Sequence, residues 1–172
     1  MDDEIKKIKQ KNLDRLYDYR QKLYKNPILK DLFLEVTSRC NARCCHCGSS
    51  CTDKVKEEEI SAEALKKALL DIADHYNAAD ILLNVTGGEP LVRKDLFEIM
   101  DYANHLGFHW GMTSNGMLIT DEILEKMNQT NMETISISLV GLKETHERFR
   151  KVPSSFERII TNIKKTTESP IN

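Results

Sequence analysis

Five cysteines fall between Cys40 and Cys51, and the chain has none elsewhere. Three of them, Cys40, Cys44 and Cys47, have Cx3Cx2C spacing in Cys40-Asn41-Ala42-Arg43-Cys44-Cys45-His46-Cys47. Thiolates bind iron strongly. Three on one short loop can hold a four-iron cluster and leave one iron without a protein ligand. A small molecule can coordinate at that iron. Cys45 and Cys51 could add a fourth ligand, and a zinc ion held by cysteine and His46 satisfies the same spacing. Thiols that bind nothing satisfy it too. A secreted disulfide scaffold would spread an even number of cysteines along the chain, so this crowding points to a reducing compartment, the cytoplasm.

Three further segments carry groups that could meet a ligand. Thr86-Gly87-Gly88-Glu89-Pro90 offers backbone without side chains, which can approach a ligand closely, and a carboxylate able to accept from an ammonium. Thr113-Ser114-Asn115-Gly116 and Ser136-Ile137-Ser138-Leu139-Val140-Gly141 are rich in hydroxyl, amide and glycine. Each alone reads as turn chemistry. Together they are more informative, because each follows an expected strand.

Strands are expected at residues 32–37, 81–86, 108–113 and 134–139, where short apolar or alternating runs occur. Helices are expected between and after them. Ser61 reads as an N-cap, with Leu65, Leu69, Ile72 and Tyr76 on one face. Asp95 with Glu98, and Ser154 with Glu157, read as capping boxes. Leu96, Met100 and Ala103 follow the first, and Phe156, Ile159, Ile160 and Ile163 the second. Gly107 suits a C′ position, and a short helix is expected around Ile123, Leu124 and Met127. An acidic linker, Glu57-Glu58-Glu59, joins the cysteine loop to the first of these helices. Four strand–helix units in series imply right-handed crossovers and a parallel sheet. In the fourth strand Ile135, Ile137 and Leu139 share one face while Ser136 and Ser138 share the other. A polar inner face suits part of a TIM-type barrel around a ligand, and ligands bind at the C-terminal ends of such strands. The expected fold class is therefore α/β, a partial (βα) barrel of about four units. Residues 1–30 form an N-terminal helical extension and 31–172 the core domain.

The composition fits this reading. The chain has 172 residues, 40% apolar and 30% charged, enough for one core. Its net charge of −2 argues against a protein that coats nucleic acid. No apolar run reaches the length of a membrane span, and Met1-Asp2-Asp3-Glu4 does not open a secretory signal.

Glu35-Val36-Thr37-Ser38-Arg39-Cys40-Asn41 running into Cx3Cx2C, with Gly87-Gly88-Glu89-Pro90 after the second strand, resembles the radical S-adenosylmethionine (SAM) superfamily. The likeness runs from about Leu32 onward. Cys47-Gly48-Ser49-Ser50-Cys51 and the stretch through His146 and Arg150 resemble the branch that often carries a SPASM-type extension. The resemblance implies that Cys40, Cys44 and Cys47 bind a [4Fe-4S] cluster whose open iron is chelated by SAM. Gly87, Gly88 and Glu89 would hold the SAM amine, Pro90 would shape the turn, His46 would lie near the adenine and Ser138 would face the ribose. Arg150 and Arg158 are both candidates for the SAM carboxylate. Reductive cleavage of SAM would give a 5′-deoxyadenosyl radical that abstracts hydrogen from a peptide or protein, with an electron donor such as flavodoxin or ferredoxin. Cofactor biosynthesis is the alternative within enzymes; a non-catalytic iron–sulfur or zinc module is the alternative outside them. The resemblance assigns no catalytic side chain.

Two departures stand out. The branch usually reads Ser-x-Asp-Gly where this chain has Ser138-Leu139-Val140-Gly141. The core usually has six units, and this chain stops at Ser169-Pro170-Ile171-Asn172. It is expected to be the front part of a larger enzyme, with an open sheet edge able to self-associate.

Overall fold

The computed structural model describes residues 2–53 and 58–171. Glu57 of the expected acidic linker, Met1 and Asn172 lie outside these residues. The chain divides into two compact units, residues 1–30 and 31–172. The first is one helix, α1 (Asp2–Lys25), on which Ile5, Ile8, Leu13, Leu16 and Tyr17 are exposed. It ends at Asn26-Pro27, since the residue before a proline avoids helical dihedrals.

In the second unit the elements run β1 (Asp31–Glu35), α2 (Ala62–His75), β2 (Leu82–Thr86), α3 (Leu96–His105), β3 (His109–Ser114), α4 (Asp121–Gln129), β4 (Thr134–Ile137), α5 (Lys143–Arg150) and α6 (Ser155–Thr167). The four strands form one parallel sheet in the order β1-β2-β3-β4. Leu34, Val85, Met112 and Ile135 align across it. With Leu83 and Trp110 they share one face, and Leu83, Val85, Trp110 and Met112 are buried. Leu65 and Leu69 of α2, and Leu96, Ile99, Met100 and Ala103 of α3, complete that core. Each fully buried aliphatic side chain contributes about 1.5–3 kcal/mol. Trp110 keeps its polar end satisfied by donating to the Thr130 carbonyl at 2.7 Å. The other face holds Phe33, Glu35, Asn84, Thr86, Thr113 and Ser136, and Phe33 is exposed. The expected α/β fold, a four-unit part of a barrel with a largely polar inner face, is the observed one. Among the described residues no helix is long and apolar enough to cross a membrane.

Local signals succeeded unevenly. Ser61 caps α2 by accepting from the Ala64 amide at 3.1 Å. Gly107 (φ +94°) closes α3, with Phe108 N–H donating to the Ala103 carbonyl and Gly107 N–H to that of Asn104. Neither expected capping box forms. Asp95 caps nothing because its carboxylate is taken by Arg93 at 2.7 and 3.1 Å. Ser154 has φ +59° with no capping bond, and Glu157 pairs with Lys143 instead. Thr120, not expected as a cap, accepts from the Ile123 amide at 3.2 Å. The first strand ends at Glu35 rather than residue 37, since the Val36 and Thr37 carbonyls accept from Arg93 and Gly88 in place of a strand partner. The fourth ends at Ile137, and α5 after it was not anticipated.

Candidate cluster and cofactor site

All four segments beyond the strands meet at the C-terminal rim of the sheet. They surround a cavity of about 210 Å³ lined by Cys40, Cys44, His46, Cys47, Cys51, Thr86, Gly87, Gly88, Ser114, Asn115, Ser138 and Arg150. A neighbouring cavity of about 340 Å³ shares Ser49, Cys51 and Gly87 and is bordered by Glu35, Glu58 and Glu59. The larger one lacks Cys40, Cys44 and Arg150, so the metal-binding chemistry belongs to the smaller.

Close backbone approach builds the rim. Gly88 N–H donates to the Thr37 carbonyl at 2.8 Å, and Glu89 N–H to that of Arg39 at 2.9 Å. A Cβ on Gly87 would lie 2.3 Å from the Thr37 oxygen, and one on Gly88 2.2 Å from the Arg39 oxygen. Only glycine lets the turn after β2 lie against the entry to the cysteine loop. Beneath it, buried Arg93 donates to the carbonyls of Val36 at 2.7 Å and Ile60 at 2.9 Å. Arg39 forms a two-pronged pair with Glu59 at 2.9 and 3.0 Å, and Thr37 also donates to Glu59. From the far side, Arg43 and Cys45 amides donate to the carbonyls of Arg150 and Phe149 at 3.3 and 2.9 Å.

The three sulfurs of the Cx3Cx2C motif each receive a donor. Ala42 N–H points to Cys40 Sγ at 3.4 Å, Arg150 Nη1 to Cys44 Sγ at 3.4 Å and Cys51 N–H to Cys47 Sγ at 3.4 Å. Donors suit thiolates. Burial pushes the Cys40 thiol above its ordinary pKa, whereas the Cys51 amide holds Cys47 below it. No disulfide joins the five cysteines, and Cys45 is exposed. Three thiolates on one loop, each receiving a donor, can bind separate irons of one cluster. The donor set therefore fits a cluster.

The other expected residues separate. Gly87, Gly88, Ser138, His46 and Arg150 reach the cavity. His46 is exposed and lies against the Phe149 ring, centroids 5.4 Å apart. Arg150 is buried, lines the cavity and donates from Nη2 to the Ser138 carbonyl at 2.7 Å; its buried Nε has no hydrogen-bond partner. Arg158 is exposed on α6 and does not line the cavity, so the structure separates two arginines that the sequence leaves equal. Pro90 is buried and opens a single 3₁₀ turn, Pro90–Val92. Glu89 is the main difference. Its carboxylate is fully buried, does not line the cavity, and accepts from Leu91 N–H at 3.2 Å, Ser114 Oγ at 2.9 Å and Asn115 N–H at 2.7 Å. Burial raises its pKa against the pull of these donors and of Arg150.

Sequence reasoning placed Asn115 only within the segment 113–116 at the expected rim, gave no role to Arg93, and named His146 only as part of the family-like stretch. Asn115 bridges to Asn41 at 2.7 Å, and Arg93 carries the brace below the rim. Asn115 is marked only by its segment's place after a strand, and an Arg before a helix reads as surface chemistry, so no local signal marked Arg93. His146 is buried, and its Nδ1 accepts the Val140 amide at 3.2 Å. Burial and the Arg150 charge lower its pKa, which suits a neutral acceptor. This bond holds the loop that lacks the usual aspartate.

Comparison with known proteins shows the family. Residues 34–172 match the radical SAM superfamily. The AdoMet-dependent heme synthase of Methanosarcina barkeri is 35% identical over 130 residues, 75% of this chain and 36% of that protein. The sporulation killing factor maturation protein SkfB of Bacillus subtilis is 32% identical over 138 residues, 80% of this chain and 33% of that protein. The structure of native anSMEcpe with bound AdoMet shares the fold, with a TM-score of 0.70 and 19% identity over 84% of this chain and 42% of that one. The chain spans about a third of the length of the curated relatives it matches. A parallel sheet with a three-cysteine loop, a glycine-rich turn and a buried arginine at one rim, matched over residues 34–172, makes this chain a member of the radical SAM superfamily.

Proposed function

We propose that Cys40, Cys44 and Cys47 hold a [4Fe-4S] cluster beside a SAM site, and that the whole protein modifies a peptide or protein side chain. The observation that carries this is the set of donors on all three sulfurs around one cavity that Gly87, Gly88 and Arg150 also line. When bound, cluster and SAM supply a 5′-deoxyadenosyl radical for hydrogen abstraction once an electron arrives from a donor such as flavodoxin or ferredoxin. The chain's own groups bind and orient. Arg150 offers its guanidinium to the SAM carboxylate. The backbone of Gly87 and Gly88 meets the amine, while the Glu89 carboxylate ties the end of that turn to Ser114 and Asn115 after β3. His46 and Ser138 flank the nucleoside. The likeness to SkfB favours a peptide substrate, and the likeness to the heme synthase favours a second reading, cofactor biosynthesis on a tetrapyrrole.

Anaerobic reconstitution of the chain tests the site, with visible spectra and iron, sulfide and zinc analysis. Matched iron and sulfide, followed by 5′-deoxyadenosine on adding dithionite and SAM, is the expected result. Zinc without sulfide would overturn it. For the substrate, supplying a precursor peptide or an iron porphyrin to the whole protein and following mass changes separates the two readings.

A further inference from the structure

We propose that Asn115 is a positioning residue for the cluster, directing a side-chain N–H to the Cys40 sulfur; this rests on the cluster reading above. Asn115 belongs to the turn after β3, yet it touches three of the loops at the rim. Its backbone N–H donates to Glu89 at 2.7 Å, its Oδ1 accepts from Met117 N–H at 3.0 Å, and its Nδ2 donates to Asn41 Oδ1 at 2.7 Å. The second Nδ2 hydrogen is left for Cys40 Sγ, 3.8 Å away. The amide cannot turn over, because its NH₂ would then face the Met117 N–H. Donor and sulfur are both buried, so water does not compete for the contact.

The buried carboxylate of Glu89 is the anchor of this chain of contacts. It fixes the Asn115 backbone and so fixes where the amide points. Hydrogen bonds to thiolate sulfur favour the more reduced, more negative state of an iron–sulfur cluster and raise its potential. Asn115 thereby sets how readily the cluster accepts its electron. Asn41 shares the amide but is not read to act on the sulfur.

The test uses the reconstituted chain and its Asn115→Asp, Asn115→Ala and Asn41→Ala variants. Iron and sulfide are measured first, then the cluster midpoint potential by a redox titration followed by electron paramagnetic resonance. The expected result is a wild-type cluster, a lower potential in both Asn115 variants, and an unchanged potential in Asn41→Ala. A purely structural role would change cluster content or melting temperature and leave the potential alone. The contact is also read without the cluster. In the apo chain, alkylation of Cys40 in Asn115→Ala is expected to fall about two- to fivefold, because losing a donor to sulfur disfavours the thiolate that reacts, while exposed Cys45 reacts as before. A wild-type chain that assembles no cluster overturns the proposed function. A loaded wild type with equal potentials in the Asn115 variants, or an unchanged Cys40 alkylation rate, overturns the role of Asn115 alone.

Discussion

Replacing Glu89 separates a residue that binds SAM from one that holds the site together. Glu89→Ala removes three hydrogen bonds and leaves the Leu91 and Asn115 amides and the Ser114 hydroxyl facing an empty space. Hydrogen bonds to a charged group are worth about 1.5–3 kcal/mol each, but removing a buried carboxylate also recovers part of its desolvation cost. Disrupting a buried ionic network by deleting one member costs about 3–5 kcal/mol. In a chain of this length that lowers the melting temperature by about 6–20 °C. Glu89→Gln keeps the shape but turns its amide toward at least one donor, so about 1–3 kcal/mol is expected. Thermal and urea melts of the apo chain measure both variants, and calorimetric SAM titration of the reconstituted chain follows. The expected order of stability is wild type, then Gln, then Ala, and weaker SAM binding accompanies the loss of stability. If Glu89→Ala melted with wild type and only SAM affinity fell, the carboxylate would reach the ligand directly and the burial argument would be wrong.

Single Cys→Ala variants at the five cysteines should sort into two groups. Cys40, Cys44 and Cys47 variants are expected to lose iron after reconstitution, whereas Cys45 and Cys51 variants keep it; iron and sulfide assays check this. Arg150→Ala is expected to weaken SAM binding by roughly tenfold or more, the loss of one charged hydrogen bond, while Arg158→Ala leaves the dissociation constant within error. Glu59 gives a pH signature. Its hydrogen bond from Arg39 holds its pKa below the ordinary 4.5, so it stabilises the fold above that value and loses the contribution as pH falls through the depressed folded pKa. Urea melts of Glu59→Gln should therefore fall below wild type at pH 7 and converge with it in acid.

The fold was legible because its signals were periodic. Alternating runs, Ser61 and Gly107 each act through near neighbours, and the structure uses them that way. The failed capping boxes show the limit. Asp95 has the right residue type at the right spacing, but Arg93 takes its carboxylate for a brace that reaches Val36 and Ile60. Long-range electrostatics outweighed a local motif. At the site, the cysteines and glycines stood out by their types and spacing. Glu89 is different: sequence shows a carboxylate beside two glycines, whereas burial from β3 decides which way it points. Arg150 and Arg158 could not be ranked because each lies in a charged helical stretch, and only packing buries one of them.

The order β1-β2-β3-β4 also bears on the timing of assembly. Each strand adds beside its predecessor, so the sheet can grow as the chain leaves the ribosome, without waiting for a distant partner. The cysteine loop belongs to the first crossover and takes its place when β2 pairs with β1. Its outer side is closed much later. The Arg43 and Cys45 amides bind the carbonyls of Arg150 and Phe149, and Arg150 reaches Cys44 across a separation of 106 residues. Between those events the thiols sit on a formed rim that is still open on one side.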